Sequence, residues 1–166
     1  MCDRLHPNYY TYDMLSDLLS NGQSSRFVQH LVKKRQVFSH IDAYISGSID
    51  AGLFHITGKP ALGISLEEAE AAIWEELEAM KAETVSDEEL EKVKNRYESE
   101  QIFSNINYLN VATNLAFFEL IGQAEDINHE VEKYRAITSE HIMEVAKQTF
   151  VHENCSVLHY RSNKQP

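Results

Sequence analysis

The sequence predicts an α+β fold, in which a small, largely antiparallel sheet has several helices packed on one face. Two observations carry this prediction. Apolar residues recur every three to four positions over residues 9–34 and 65–150, as in amphipathic helices. Between these regions, over residues 37–57, the period changes to two, which is the alternation of strands. With 166 residues, 43% of them hydrophobic, the chain is expected to form a single domain over residues 1–166.

The first two helices are predicted over residues 9–20 and 25–34. Asn21-Gly22 should end the first helix, because both residue types tolerate the left-handed backbone that helix C-termini commonly adopt. Ser24 or Ser25 is expected to cap the second helix through its hydroxyl oxygen.

A β-hairpin is predicted next, with the side chains of its first strand alternating between two faces. One face would carry Val37, Ile41, Ala43 and Ile45, and the other Phe38, His40, Asp42 and Tyr44. Residues 47–50 supply the turn, and residues 52–57 return as the partner strand.

The starts of three later helices carry capping signals. Ser65 and Glu68 have the spacing of a capping box, and Ser86 and Glu89 repeat it. Thr138 is expected to cap the last helix.

The remaining elements are predicted from composition and periodicity. The helix over residues 108–121 is so apolar that it should pack on more than one side. Short helices are predicted over residues 125–134 and 139–150, and the alternating residues 155–161 predict a third strand. Residues 162–166 should fray.

Composition excludes several classes of function. The net charge of −11 argues against nucleic-acid binding, which depends on Lys and Arg. No stretch has the roughly 18 to 20 apolar residues of a membrane helix, so a soluble protein without membrane contact is expected. The two cysteines, Cys2 and Cys155, are far apart and give no sign of a disulfide framework.

The words LLSNGQSSRFVQHLVKK and GSIDAGLFHITGKP, in this order of elements, resemble the insulinase/pitrilysin family of zinc metallopeptidases. The resemblance covers about residues 10–160 and is closest to the second, non-catalytic domain of the shorter bacterial members. It implies a fragment of a longer two-domain peptidase, located in the bacterial cytoplasm or periplasm. It also implies that a separate zinc-bearing domain is the partner and that an unfolded peptide is the substrate.

None of the eight histidines belongs to the His-x-x-Glu-His motif that supplies zinc ligands and the base in this family. The chain alone is therefore expected to bind no cofactor and to be inactive, with zinc held by the missing partner domain. An alternative metal site would use His40, His55 and Asp42, if the two strands bring them together. Two histidines do not complete a zinc shell, so this alternative is disfavoured.

The resemblance also implies an Arg and, seven residues later, a Tyr that hold the substrate carbonyl. Val32 and Ser39 occupy these positions here, and neither side chain can do this work. The run Lys33 to Arg35 could substitute only through a shift in register. This departure favours a rival interpretation, a zinc-free structural or assembly subunit derived from the same family.

By resemblance, the open sheet face would line a chamber around an unfolded peptide. The substrate-binding residues expected on the hairpin are His40, Asp42, Tyr44, Phe54 and Ile56, and no catalytic residue is expected. An open sheet edge or the apolar helices could also pair two copies in a homodimer.

Overall fold

The computed structural model describes residues 1–161, and the predicted fraying of residues 162–166 lies outside this range. The described part contains six α-helices, a π-helix and a two-stranded sheet, joined by turns that include short 3-10 helices at Ala124–His129 and His152–Asn154. In chain order the main elements are α1 (Tyr9–Ser20), the π-helix (Phe27–Lys34), β1 (Phe38–Ile45), β2 (Phe54–Pro60), α2 (Leu66–Ala82), α3 (Asp87–Ser104), α4 (Tyr108–Ile121), α5 (Glu130–Arg135) and α6 (Ser139–Thr149). The predicted α+β class is confirmed.

The core lies between the hairpin and the helices. Its fully buried side chains come from α1, the π-helix, β1, α2 and α6, and the largest include Phe27, Met14, Leu15, Leu18, Leu31, Ile41, Met80 and Ile142. Burial of such side chains stabilises each by about 1.5–3 kcal/mol relative to exposure. The hairpin is therefore anchored on one face only, and its other face is left to solvent.

The two strands pair in an antiparallel register that places Ala43 opposite Ile56 and Tyr44 opposite His55. The register shifts between Phe38 and His40, which is a β-bulge at Ser39. The prediction that Phe38 shares the face of His40 is wrong for this reason: the bulge reverses the alternation, and Phe38 is 3% exposed.

The N-cap hydroxyls predicted for three helices are confirmed. The hydroxyls of Ser65, Ser86 and Thr138 each accept a hydrogen bond from a backbone N–H of the following turn. The prediction for the second helix is wrong, because the Ser25 hydroxyl donates to the Gly22 carbonyl at 2.7 Å and caps no N–H group. Gly22 itself has a φ of +93°, in agreement with its predicted place at the end of α1.

The predicted third strand is not formed within the described residues. The segment over residues 155–161 has no ladder partner, and Val157, Leu158 and Tyr160 are exposed. Side-chain pairs tie it to α2 instead, through His159 with Glu70 and Arg161 with Glu67. Alternation of residue types therefore gives a strand only where a neighbouring strand offers hydrogen bonds.

The prediction that α4 packs on more than one side is also wrong. Only Phe118 of this helix is buried. Exposed apolar side chains occur along the last turn of α3, the connection and α4: Ile102, Phe103, Ile106, Tyr108, Leu109, Leu115 and Leu120. In the described part of the chain, this helix is apolar without being covered.

Candidate functional site

The open face of the hairpin is the candidate site. Residues directly opposite in an antiparallel pair share a face, so the register brings His40 with Lys59, Asp42 with Thr57, and Tyr44 with His55. The side chains of His40 and Asp42 are 70% and 49% exposed. The structure thus places three of the five predicted residues, His40, Asp42 and Tyr44, side by side on a surface that solvent reaches.

Phe54 and Ile56, the other two predicted residues, lie on the opposite face. They are paired with Ile45 and Ala43, and both pack against the hydrophobic core. The Phe54 ring contacts the Phe150 ring edge-on, with 5.2 Å between centroids. The expectation that they share the open face is wrong, because the register sets them on the helix-covered side.

Two contacts hold the open face in shape. His40 Nε2 lies 2.7 Å from Asp42 Oδ2, and Tyr44 stacks on His55 with ring centroids 4.8 Å apart. The stacked pair presents one broad aromatic surface, while the His–Asp pair presents hydrogen-bonding groups. Such a surface can bind a polypeptide by stacking and hydrogen bonding.

The alternative metal site is not assembled. His40 lies opposite Lys59 and His55 opposite Tyr44, so the two histidines are not cross-strand neighbours. Within residues 1–161, no group of three or more His, Cys, Asp or Glu side chains could hold a metal ion.

Val32 and Ser39 remain unsuited to contact a substrate carbonyl. Val32 packs against the core at the end of the π-helix. The Ser39 hydroxyl donates to the Lys59 carbonyl at 3.0 Å, within the hairpin itself. Arg35 pairs with Glu75, and Lys33 donates to the Gln23 carbonyl, so neither replaces the expected arginine in this conformation.

A groove along the free edge of β1 was not anticipated from the sequence. It has a volume of about 390 Å³, and it is lined by Asp13, Ser16, Asp17, Ser20, Asn21, Asp42, Ala43, Tyr44 and Ile45. The signal was available, because the polar residues at positions 13, 16, 17 and 20 recur at helical spacing opposite the apolar face of α1.

The two carboxyl groups that α1 contributes to this groove, those of Asp13 and Asp17, both have raised pKa values. Burial, reinforced by the nearby charge of Asp13, raises the pKa of Asp17 to about 6. Burial likewise raises the pKa of Asp13, although the Tyr134 hydroxyl donates to its Oδ2 at 2.5 Å. Both shifts mean that the negative charge here is poorly compensated.

A buried polar cluster at the N-terminal end of α1 ties the N-terminal residues to α5. Arg4 and Lys133 both pair with Glu130, and the Tyr10 hydroxyl donates to the same carboxylate at 2.7 Å. The Arg4 guanidinium also lies over the Tyr9 ring, 4.3 Å from its centroid. Because two cations share one buried carboxylate, we assign this cluster a structural role.

The class of fold is a two-stranded antiparallel sheet that packs on helices with one face and exposes the other. The family model described as the peptidase M16 inactive domain matches residues 1–97. The chain belongs to this family, which confirms the predicted relationship to the non-catalytic domain of zinc metallopeptidases. No curated protein matches the chain.

Several solved structures have a similar fold. The inactive peptidase domain of a candidate zinc protease from Bordetella parapertussis aligns over 100% of this chain and 88% of its own, with a TM-score of 0.87 at 17% identity. A candidate zinc protease from Bordetella pertussis Tohama I aligns over 90% of this chain and 82% of its own, with a TM-score of 0.78 at 19% identity.

A protease from Helicobacter pylori shows how the chain compares in length with a larger relative. It aligns over 89% of this chain, with a TM-score of 0.83 at 21% identity, but the match covers only 36% of the Helicobacter chain. Among residues 1–161, no helix is both long and apolar enough to cross a membrane.

Proposed function

We propose that this chain is the non-catalytic, peptide-cradling domain of an M16 zinc metalloendopeptidase. A separate zinc-bearing domain is its partner and performs the hydrolysis. The observation that carries the proposal is the hairpin, whose one face is packed on helices while the other exposes His40, Asp42 and the Tyr44–His55 stack. Membership of the inactive-domain family supports it.

The substrate is an unfolded peptide held over this face. An extended peptide offers backbone groups at every residue, so polar and aromatic side chains can bind it with little dependence on its sequence. In this proposal His40, Asp42 and Tyr44 remain substrate-binding residues. His55 and Thr57 join them in place of Phe54 and Ile56, because the register puts them on the same face.

The test is a cleavage assay with an unstructured peptide. We expect this chain, mixed with its zinc-bearing half, to cleave faster than either half alone. Replacing His40, Asp42 and Tyr44 together by alanine should lower kcat/KM by about tenfold, as expected for the loss of a few contacts worth about 1.4 kcal/mol in total. Glu88→Ala, at the exposed start of α3, is the matched control and should change nothing.

The rival function is that of a zinc-free assembly subunit, favoured by Val32 and Ser39 at the positions where the family places Arg and Tyr. A stable complex of the two halves that cleaves no peptide faster than the zinc-bearing half alone would support the rival. Equal rates for the alanine variant and its control would also contradict peptide cradling by this face.

We also propose that two copies of the chain associate through α4. Residues 102–118 contain no charged side chain, in a chain with a net charge of −11. Contact through this segment avoids repulsion between like charges and covers side chains that monomers rarely expose together. Bacterial cytoplasm or periplasm remains the predicted location.

A further inference from the structure

A cavity of about 500 Å³ lies beside the N-terminal end of α1. Its walls come from the N-terminal residues, α1, the last turn of α4, the end of α5 with the turn after it, and the start of α6. The volume falls within the roughly 300–1,000 Å³ of small-molecule sites. The residues proposed to bind peptide do not line this cavity, so a ligand bound here is separate from the peptide over the hairpin.

The hydroxyl of Thr11 is a buried polar group that lacks a hydrogen-bond partner. Thr11 lines the cavity and is 0% exposed, and over the described residues 1–161 no protein atom pairs with its Oγ1. An unpaired buried hydroxyl is destabilising, and native structures contain few such groups. An acceptor oxygen on a ligand in the cavity would satisfy it.

Two cationic side chains border the same cavity and have further donors to offer. Arg4 is 8% exposed, and its Nη2 pairs with Glu130 Oε2 at 2.9 Å, which uses one of the five N–H donors of a guanidinium. The Lys133 ammonium donates to Glu130 Oε1 and to the Tyr10 hydroxyl, both at 3.0 Å, which leaves one of its three N–H groups. The protein therefore holds both cations in place while donors remain for a ligand.

The rest of the cavity wall determines the form of the ligand. Four apolar side chains line it: Leu5, Phe118, Ile121 and Ile137. The carboxylate of Asp126 also lines it, but its Oδ2 already accepts the Gln123 N–H at 3.1 Å. A hydrocarbon body would cover the apolar wall, and a carboxylate would supply acceptors only, which is what the available donors require. A second anionic group would add to the charges of Asp126 and Glu130 and be repelled.

We propose that this cavity binds a small monocarboxylic acid with a short hydrocarbon body. Its carboxylate accepts hydrogen bonds from the Thr11 hydroxyl, the Arg4 guanidinium and the Lys133 ammonium, and its hydrocarbon body lies against the apolar wall. The site does not depend on the proposed peptide binding by the hairpin.

Titration of the whole chain with sodium octanoate tests this inference, followed by isothermal titration calorimetry and by amide chemical shifts. We expect saturable one-to-one binding, with the largest shifts at cavity residues such as Thr11 and Ile137. Thr11→Val removes the hydroxyl at nearly constant shape and should weaken binding about tenfold, as expected for the loss of a hydrogen bond to a charged group. Thr113→Val, at an exposed position on α4, is the matched control and should leave the affinity unchanged.

A second variant and a second ligand make the result specific for the carboxylate. Lys133→Gln leaves the core intact, because this side chain is 39% exposed, and it should weaken octanoate binding several-fold. 1-Octanol, which has the same hydrocarbon body without the charge, should bind at least about tenfold more weakly. The proposal would be overturned by the absence of saturable binding, by equal affinity for 1-octanol, by unchanged affinity in either variant, or by shifts confined to the exposed side of α4.

Discussion

The ionised carboxylate of Asp17 destabilises the folded chain, because it is largely buried. Its pKa is raised to about 6 by burial and by the charge of Asp13, while Asn21 and Arg96 oppose the shift and Glu100 adds to it. A folded-state pKa above the unfolded value of about 3.9 means that the folded chain binds the proton more tightly. Stability should therefore decrease as the pH rises from about 4 to 6 and stay reduced above that.

We expect Asp17→Asn to raise the free energy of unfolding at pH 7.5 by on the order of 1–3 kcal/mol, because the amide needs no compensating charge. The decrease of the free energy of unfolding between pH 4 and 6 should become smaller in this variant. Urea titrations over this pH range measure both effects, with Glu88→Gln, at an exposed position, as the control. Loss of stability in the Asn variant would contradict the assignment of a destabilising carboxylate.

At the scale of the elements, the turn between α1 and the π-helix depends on Gly22. Gly22 has a φ of +93°, and a Cβ there would lie 2.7 Å from Arg96 Nη1. Gly63 has a similar φ of +89°, and no atom lies within 4 Å of the position that a Cβ would take, so this residue isolates the backbone strain.

Gly22→Ala and Gly63→Ala should each cost about 1–2 kcal/mol from the left-handed backbone. Gly22→Ala should cost slightly more, because Arg96 must shift away from its contact with Glu100. Thermal or urea unfolding measures the difference. A neutral effect at either position would contradict the backbone conformation described for that turn.

Local signals predicted the helices and the hairpin well, because they depend on neighbours in sequence. The caps at Ser65, Ser86 and Thr138 and the helix end at Gly22 are of this kind. The bulge at Ser39 could not be predicted, since it depends on how two strands pair. Residues 155–161 failed as a strand for the related reason that strand formation needs a partner.

The candidate site likewise combines features that local sequence predicts with features that depend on tertiary contacts. His40, Asp42 and Tyr44 were placed on one face by the period of their own strand. The face of Phe54 and Ile56 could be predicted only with the register between the strands. Alternation alone does not fix this register, and a shift of one residue reverses the faces. The polar stripe of α1 was visible in the sequence, but the groove also depends on the approach of α1 to β1, which is a tertiary contact.

Among residues 1–161, α4 exposes most of its apolar side chains, with Phe118 buried. If two copies meet through α4, sedimentation equilibrium should show a concentration-dependent dimer. Leu109→Gln together with Leu120→Gln should shift it to monomer, because both side chains are 71% exposed and lie on this helix. The exposed pair Leu53 and Leu62, changed to Gln, is the control for apolar area elsewhere. A monodisperse monomer at all concentrations would contradict the interface.

The central claim is that the open hairpin face holds the peptide. A photo-crosslinking residue, p-benzoylphenylalanine, introduced in place of Tyr44 tests it directly in the complex with the zinc-bearing half, and the same residue in place of Glu88 is the control. We expect an unstructured peptide to be captured at position 44 and not at position 88. Equal capture at both positions, or none at position 44 in a complex that cleaves the peptide, would contradict the account.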